Sequence, residues 1–215
     1  DLYLRRLQKY NNNIKSATLS KSKSGNYFLS ILVEMEDTEL KKFEHTDKQV
    51  GFDLGVKDFV ITSDGEVFEN KHFLKKEEKK IARLNRQLSK KKKGSNNREK
   101  QRVKIAKLFE RITNKKEAYI HYVVNELLKS YDTIFMEDLN VKAMLRNHKL
   151  SKAIIEVGFY KFKETLTNKA LENNKQVSLV GRFYPSSKTC SVCGYKKEDL
   201  TLNDREWICP NCGTR

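Results

Sequence analysis

The sequence predicts an α/β protein: a mixed sheet with a basic helical hairpin inserted into it, and a small metal-folded module at the C-terminal end. Three observations carry that expectation. Two apolar, strand-like runs hold or end in a carboxylate, Asp53 within Val50–Val56 and Glu137 directly after Tyr131–Met136. Between them lies a long stretch of helical periodicity loaded with lysine and arginine. All four cysteines form two clasps near the C-terminal end, Cys190-Ser191-Val192-Cys193-Gly194 and Cys209-Pro210-Asn211-Cys212-Gly213.

At 215 residues there is room for one sizeable domain and small appendages. The chain does not begin with Met and stops three residues after Cys212, so it reads as a fragment of a longer protein. No apolar run approaches the roughly 20 residues of a membrane span, and a soluble protein with no membrane partner is expected. The net charge is +16. A balance of that sign and size points to a polyanion, most often nucleic acid. An anionic membrane surface fits less well, because the basic stretches lack a strong aromatic or leucine face. The charge is localised. Leu74 to Glu117 holds eighteen Lys and Arg against five Glu, a net of thirteen, so the remainder is close to balanced.

The elements follow in order. Leu2 to Lys9 reads as a short helical scrap. Ile14–Ser20 and Tyr27–Glu36 read as strands joined by Lys21-Ser22-Lys23-Ser24-Gly25, a glycine-containing hairpin loop. A hairpin this small is marginal alone, so it is expected to belong to a β-rich domain whose remainder lies upstream. Lys48 to Asn70 reads as three strands, with Asp64-Gly65 as a tight turn before the third. Asp53 is the anomaly, a carboxylate in an apolar strand with Gly51 and Gly55 two residues away on either side. A lone buried charge there would cost several kcal/mol unless it is paired or holds a metal. The bland reading is a turn aspartate; the glycines favour a ligand near the backbone.

Leu74 to Tyr131 is expected to form two long antiparallel helices. Ile81, Leu84 and Leu88 give the first a narrow seam; Ile105, Leu108, Ile112, Tyr119, Val123 and Leu127 give the second. Lys90-Lys91-Lys92-Lys93-Gly94-Ser95 breaks the pattern as a lysine-rich tip. Lys90, Lys91, Lys92, Lys93, Arg98 and Arg102 are the candidate nucleic-acid contacts. A solvated helix face is the plain alternative, but thirteen net charges exceed what solubility needs. After the strand that ends at Glu137, the plain alternative to a site carboxylate is that Glu137 or Asp138 caps the next helix; both readings hold if Asp138 caps and Glu137 faces the site. One helix is expected over Ser151–Asn173 with Ile154, Ile155, Phe159, Phe162 and Leu166 inward, then a last strand over Gln176–Tyr184.

Fifteen residues separate the two clasps, so four thiolates can converge on one tetrahedral Zn²⁺. The glycine after each clasp permits the tight turn that aims both sulfurs at one metal. No secretory signature is present, which argues against two disulfides. Cys190, Cys193, Cys209 and Cys212 are therefore the expected ligands of a structural zinc.

The order strand with Asp, two strands, helical insertion, strand with Glu, helix, strand is that of an RNase H-like fold of the RuvC type. In such folds the first and fourth strands lie parallel and adjacent, so Asp53 and Glu137 are expected to meet across 84 positions of sequence. Two close carboxylates repel unless cations lie between them. Two Mg²⁺ ions can activate water and stabilise the leaving oxygen in phosphodiester hydrolysis.

Several stretches together resemble a known family. They are Gly51-Phe52-Asp53-Leu54-Gly55-Val56-Lys57, Ser89 to Asn97, Met136-Glu137-Asp138-Leu139-Asn140, Phe183 to Cys190, and Leu200 to Trp207. As an ordered set they resemble the transposon-encoded TnpB proteins, relatives of the compact type V CRISPR nucleases, from about Lys15 onward. The resemblance implies an RNA-guided DNA endonuclease, with a guide RNA and a DNA target as partners. It implies Asp53 and Glu137 as the first and second catalytic, Mg²⁺-binding carboxylates, and a third Asp a few residues past the last clasp, beyond Arg215. The chain alone is therefore expected not to cut. By the same resemblance, residues 1–46 are the tail of an upstream β-barrel (wedge-like) domain. Residues 47–185 are the RuvC-like nuclease domain, including the basic hairpin 74–130, and 186–215 are a zinc ribbon that binds target nucleic acid. A cytoplasmic, nucleoid-associated prokaryotic protein is implied. Three alternatives remain: a cleavage-deficient RNA-guided repressor, a DDE-type transposase, or a zinc-ribbon binding factor without catalysis. Glu137 at a strand end fits the transposase less well, and the binding factor leaves Asp53 unexplained. Oligomeric state is open.

Overall fold

A computed structural model describes residues 8, 13–34, 42–181, 185, 188–201, 204 and 206–215. The expected helical scrap at Leu2–Lys9, apart from Gln8, lies outside the described residues, as do the ends of the strands expected to reach Glu36 and Tyr184.

Two strands, β1 (Ile14–Lys21) and β2 (Tyr27–Val33), pair antiparallel as a separate two-stranded sheet. Gly25 turns the hairpin at φ 92°, in the left-handed region that glycine enters without steric cost. Ile31 and Val33 are half-buried, whereas Leu19, Phe28, Leu29 and Leu32 are exposed.

The main sheet has five strands in the order β5-β4-β3-β6-β7. Its members are β3 (Gln49–Leu54), β4 (Asp58–Thr62), β5 (Val67–Glu69), β6 (Thr133–Glu137) and β7 (Gln176–Val180). β3, β4 and β5 form an antiparallel meander. β6 pairs parallel to both β3 and β7. Along β3 the side chains alternate, Val50 and Phe52 inward, Gly51 and Asp53 outward, as period-2 strand geometry requires.

Five helices lie within residues 42–181: α1 (Phe73–Ser89), α2 (Asn96–Ser130), α3 (Val141–Met144), α4 (Ser151–Val157) and α5 (Phe159–Glu172). The C-terminal half of α2 and the whole of α5 cover one face of the main sheet. Their Val123, Val124, Leu127, Phe162 and Leu166 close over Val50, Phe52, Val60, Ile134 and Met136. Phe162 is fully buried and meets Phe52 and Phe59 edge-on, at ring separations of 5.7 and 5.1 Å. Edge-on rings suit the aromatic quadrupole. The opposite face, with Asp53, Ile61 and Phe135, is exposed.

The N-terminal half of α2 leaves the sheet and pairs with α1 as the expected helical arm. Gln101 Nε2 donates to the Leu84 carbonyl at 3.1 Å and Arg98 to that of Leu88 at 2.8 Å, which sets the two helices antiparallel. Gly94 turns the tip at φ 80°, and Ser95 Oγ caps α2 by accepting from Arg98 N. No residue of α1 is fully buried; its seam is the half-buried Ile81, Leu84 and Leu88. α1 has no local side-chain cap. Instead Glu156 of α4 accepts from Leu74 N and Lys75 N, both at 3.0 Å, placing a carboxylate at the positive helix end.

One expectation about the helices needs correction, and one alternative reading is ruled out. The single helix over Ser151–Asn173 is broken at Gly158, which sits at φ 79° and ends α4 before α5 begins. A left-handed residue cannot continue a right-handed helix. The break turns Ile155 outward, at 58% exposed, while Ile154, Phe159, Phe162 and Leu166 stay inside. The helix after β6 is capped by Asn140, whose Oδ1 accepts from Ala143 N at 3.1 Å, and not by Glu137 or Asp138. The chain spends Asp138 and Leu139 on a turn first, with Leu139 N donating to the Glu137 carbonyl at 3.0 Å.

An ion pair anchors the foot of the sheet. Lys175, fully buried before β7, lies 2.8 Å from Asp132 Oδ1 and donates to the Leu128 and Glu44 carbonyls. Asp132 Oδ2 accepts from Thr46 N and Asp47 N, each at 2.8 Å. The Lys175 ammonium, helped by those amides, holds the Asp132 carboxyl well below the usual carboxylate range.

Candidate active site and metal centre

β3 and β6 run parallel in register, with Phe52 opposite Met136. One step further, Asp53 and Glu137 leave the ends of neighbouring strands on the same outward face. Both line one cleft of about 660 Å³ with Gly51, Ser63, Phe135 and Val180. The chain between the carboxylates is taken up by the meander, the arm and the return of α2 beneath the sheet. Adjacent strands lie about 4.8 Å apart, a spacing at which carboxylates can share cations.

The expected burial of Asp53 is corrected by the structure. Asp53 is exposed and Glu137 is half-buried, so no desolvation cost forces a partner on Asp53. The outward alternation of β3 is the reason. What favours a ligand is the shared geometry of the two carboxylates on neighbouring strands. The flanking glycines also differ in role. A Cβ on Gly51 would meet nothing within 4 Å, so Gly51 keeps the cleft floor open. A Cβ on Gly55 would sit 2.6 Å from the Asp58 carbonyl oxygen, so Gly55 permits the tight turn from β3 to β4.

Sequence reasoning missed Lys163. It lies on α5, next to Phe162, and its Nζ donates to Asp138 Oδ1 at 2.6 Å. Asp138 N also donates to the Val180 carbonyl at 3.2 Å, extending the β6–β7 ladder. A lysine in a lysine-rich helix gives no sequence signal for such a contact.

At the C-terminal end the two clasps converge. All four cysteine sulfurs lie within 4.8 Å of one another, with Cys190 to Cys212 at 3.5 Å and Cys193 to Cys209 at 3.6 Å. A disulfide needs about 2.05 Å. Metal–sulfur bonds of about 2.3 Å in a tetrahedron put sulfurs about 3.8 Å apart. The four cysteines therefore form a cluster able to hold one tetrahedral ion. The two knuckles are built alike. Gly194 N donates to the Cys190 carbonyl at 3.0 Å and Gly213 N to that of Cys209 at 2.8 Å. Cys190 N and Cys209 N donate to Tyr195 and Thr214 carbonyls, both at 2.8 Å. Gly194 and Gly213 share φ 71°. Burial pushes the Cys209 thiol up to about 11, and the hydrogen bond with Thr214 brings Cys212 down to about 6. A divalent ion would favour the thiolate at all four.

The basic candidates differ in what their charges meet. Lys90, Lys92 and Lys93 sit at the arm's tip with Lys91, which is half-buried. Arg98 spends its guanidinium on the Leu88 and Lys91 carbonyls, and Arg102 pairs with Glu99 at 2.9 Å. Arg98 is thus a clasp of the tip itself.

Residues 30–148, which include Asp53, Glu137 and the arm, match the OrfB_IS605 family, described as a probable transposase. Residues 159–215 match the Cas12f1-like TNB domain. The chain belongs to the OrfB_IS605 family, the TnpB proteins. Among curated relatives, a Streptomyces pristinaespiralis protein named "Putative RNA-guided DNA endonuclease" is 34% identical over 92% of this chain and 48% of its own length. Escherichia coli (strain K12) "Putative RNA-guided DNA endonuclease InsQ" is 33% identical over 91% of this chain and 52% of its own. The chain thus spans about half the length of these relatives. Among solved structures, the Cas12f1-sgRNA-target DNA complex holds a chain of like fold, with a TM-score of 0.56 and 17% identity over 88% of this chain and 40% of that one. Among the described residues no helix is long and apolar enough to cross a membrane.

Proposed function

We propose that these residues are part of an RNA-guided DNA endonuclease. Its RNase H-like, RuvC-type site would hold Mg²⁺ between Asp53 and Glu137. The observation that carries this reading is the parallel β3–β6 pairing, which brings the two carboxylates to neighbouring strand ends over one open cleft. Carboxylate oxygens are the hard donors that Mg²⁺ prefers. Ions there would supply an activated water and stabilisation of the leaving oxygen. A third carboxylate would complete such a site, and Asp53 and Glu137 without one are not expected to support cutting. The four cysteines hold a structural Zn²⁺, and residues 186–215 are a ribbon that engages target nucleic acid. Residues 47–185 are the nuclease domain, and residues 1–46 belong to a β-barrel (wedge-like) domain. The lysine tip, Lys90 to Lys93, and Arg102 lie along nucleic-acid phosphates. Guide RNA supplies the sequence specificity, and the protein works on DNA in a prokaryotic cytoplasm.

The test compares Mg²⁺-dependent cleavage of a target duplex, with guide RNA, by the 215-residue chain and by a gene product extended past Arg215. Cleavage by the extended product, abolished by Asp53→Ala and by Glu137→Ala, is expected. Cutting by the chain alone would overturn the missing carboxylate. Undiminished cutting by either variant would overturn the site.

A further inference from the structure

The two proposed metal ligands belong to different strands, and strand pairing alone fixes only their backbones. One step of α5 touches the neighbour of each. Phe162, fully buried, packs edge-on against Phe52, the residue before Asp53. Lys163, the next residue, binds Asp138, the residue after Glu137. β6 ends at Glu137, and the chain turns there at once through the Leu139-to-Glu137 hydrogen bond. At that turn Asp138 is held from two sides, by Lys163 through its side chain and by the Val180 carbonyl through its backbone.

From this geometry we infer that Lys163 is a positioning residue: through Asp138 it fixes the outward direction of Glu137, so that the Phe162–Lys163 step sets the spacing of the carboxylate pair. This rests on the reading of Asp53 and Glu137 as cation ligands. A positioning lysine and a bystander charge act with opposite sign. A lysine acting only as a nearby positive charge opposes cation binding, so removing it would tighten the site. A lysine acting through Asp138 supports cation binding, so removing it loosens the site. Partners that orient metal ligands typically govern affinity by about tenfold or more.

The experiment is a Mn²⁺ titration of the isotopically labelled chain, read by paramagnetic broadening of the backbone amide signals of Asp53 and Glu137. The Lys163→Met variant should need about tenfold more Mn²⁺ for the same broadening. Lys163→Arg, which keeps the pair, should recover most of that loss. Asp138→Asn should weaken binding too, and the Asp138→Asn/Lys163→Met double variant should lose no more than the weaker single. Unchanged or tighter binding in Lys163→Met, with wild-type broadening intact, would overturn the positioning role alone. Absence of selective broadening at Asp53 and Glu137 in the wild-type chain would instead overturn the metal reading beneath it. Both residues are partly exposed, so the variants retain the fold; a wild-type melting temperature checks this.

Discussion

The carboxylate cleft and the cysteine cluster solve the same problem in opposite ways. Each must bring side chains from distant sequence to one point. In the cleft, Asp53 and Glu137 are placed by a packed interior: the parallel β3–β6 register above, Phe162 and the α2 leucines below. The two carboxylates are a late consequence of a fold that stands without them. In the cluster, two local turns of matching geometry point four sulfurs inward, and only Cys190 and Cys209 are buried among them. Val192 and Ile208 beside them are exposed, so among the described residues these two apolar side chains add nothing to a core there. On the proposed reading a zinc ion would be the core there, so the cleft would survive loss of its metal and the cluster would not.

The largest expected effect tests that division directly. A structural zinc contributes on the order of 10 kcal/mol. Metal analysis should find one Zn per chain, and Cys190→Ser or chelation should collapse the signals of residues 188–215 while those of the main sheet persist. A sheet that melts together with the ribbon, or a variant that melts as wild type, would break the contrast.

The converse substitution is Phe162→Ala. Truncating a buried phenylalanine typically costs about 3–5 kcal/mol. The sheet should melt earlier in a denaturant titration, with zinc content unchanged. Loss of zinc in that variant would show that the ribbon leans on the core after all.

A smaller effect concerns pH. The Asp132 carboxyl is lowered in the folded state by Lys175. Its stabilisation is fully present above the unfolded value of about 4 and fades as pH falls from there toward the lower folded value. The sheet should therefore lose stability on acidification below about pH 4. Asp132→Asn should be less stable at neutral pH and should show a flatter acid limb. An acid limb as steep as that of wild type would remove Asp132 from the account.

The smallest effect lies in the arm. Replacing Lys90 to Lys93 with glutamine should leave folding intact and weaken nucleic-acid binding. The salt slope should flatten by up to about 0.9 for each phosphate no longer neutralised. An unaltered slope would mean these lysines face only solvent.

The strands, the arm and the cysteine cluster were legible in sequence because each rests on a local pattern: period-2 alternation, helical spacing with a Gly-Ser stop, and paired clasps. The features that were not legible depend on tertiary placement. Whether Asp53 faces core or solvent is decided by which face of β3 the α5 phenylalanines cover. Gly158 was visible as a glycine inside a helical pattern, a breaker signal that the strong apolar face around it masked. Asn140 was visible as a capping type, but the turn that sets it there is made by backbone. The Lys175–Asp132 and Lys163–Asp138 pairs join residues 43 and 25 positions apart, and charge pairing at such distance leaves no trace in one sequence.

The cap on α1 has a mechanical consequence. Because Glu156 holds the arm's first turn from α4, and α4 runs through a single glycine into the helix that carries Lys163, the arm and the carboxylate cleft share one mounting. The seat of the arm on α4 and the contact of Lys163 with Asp138 are thus joined by one residue of backbone, with no loop between them.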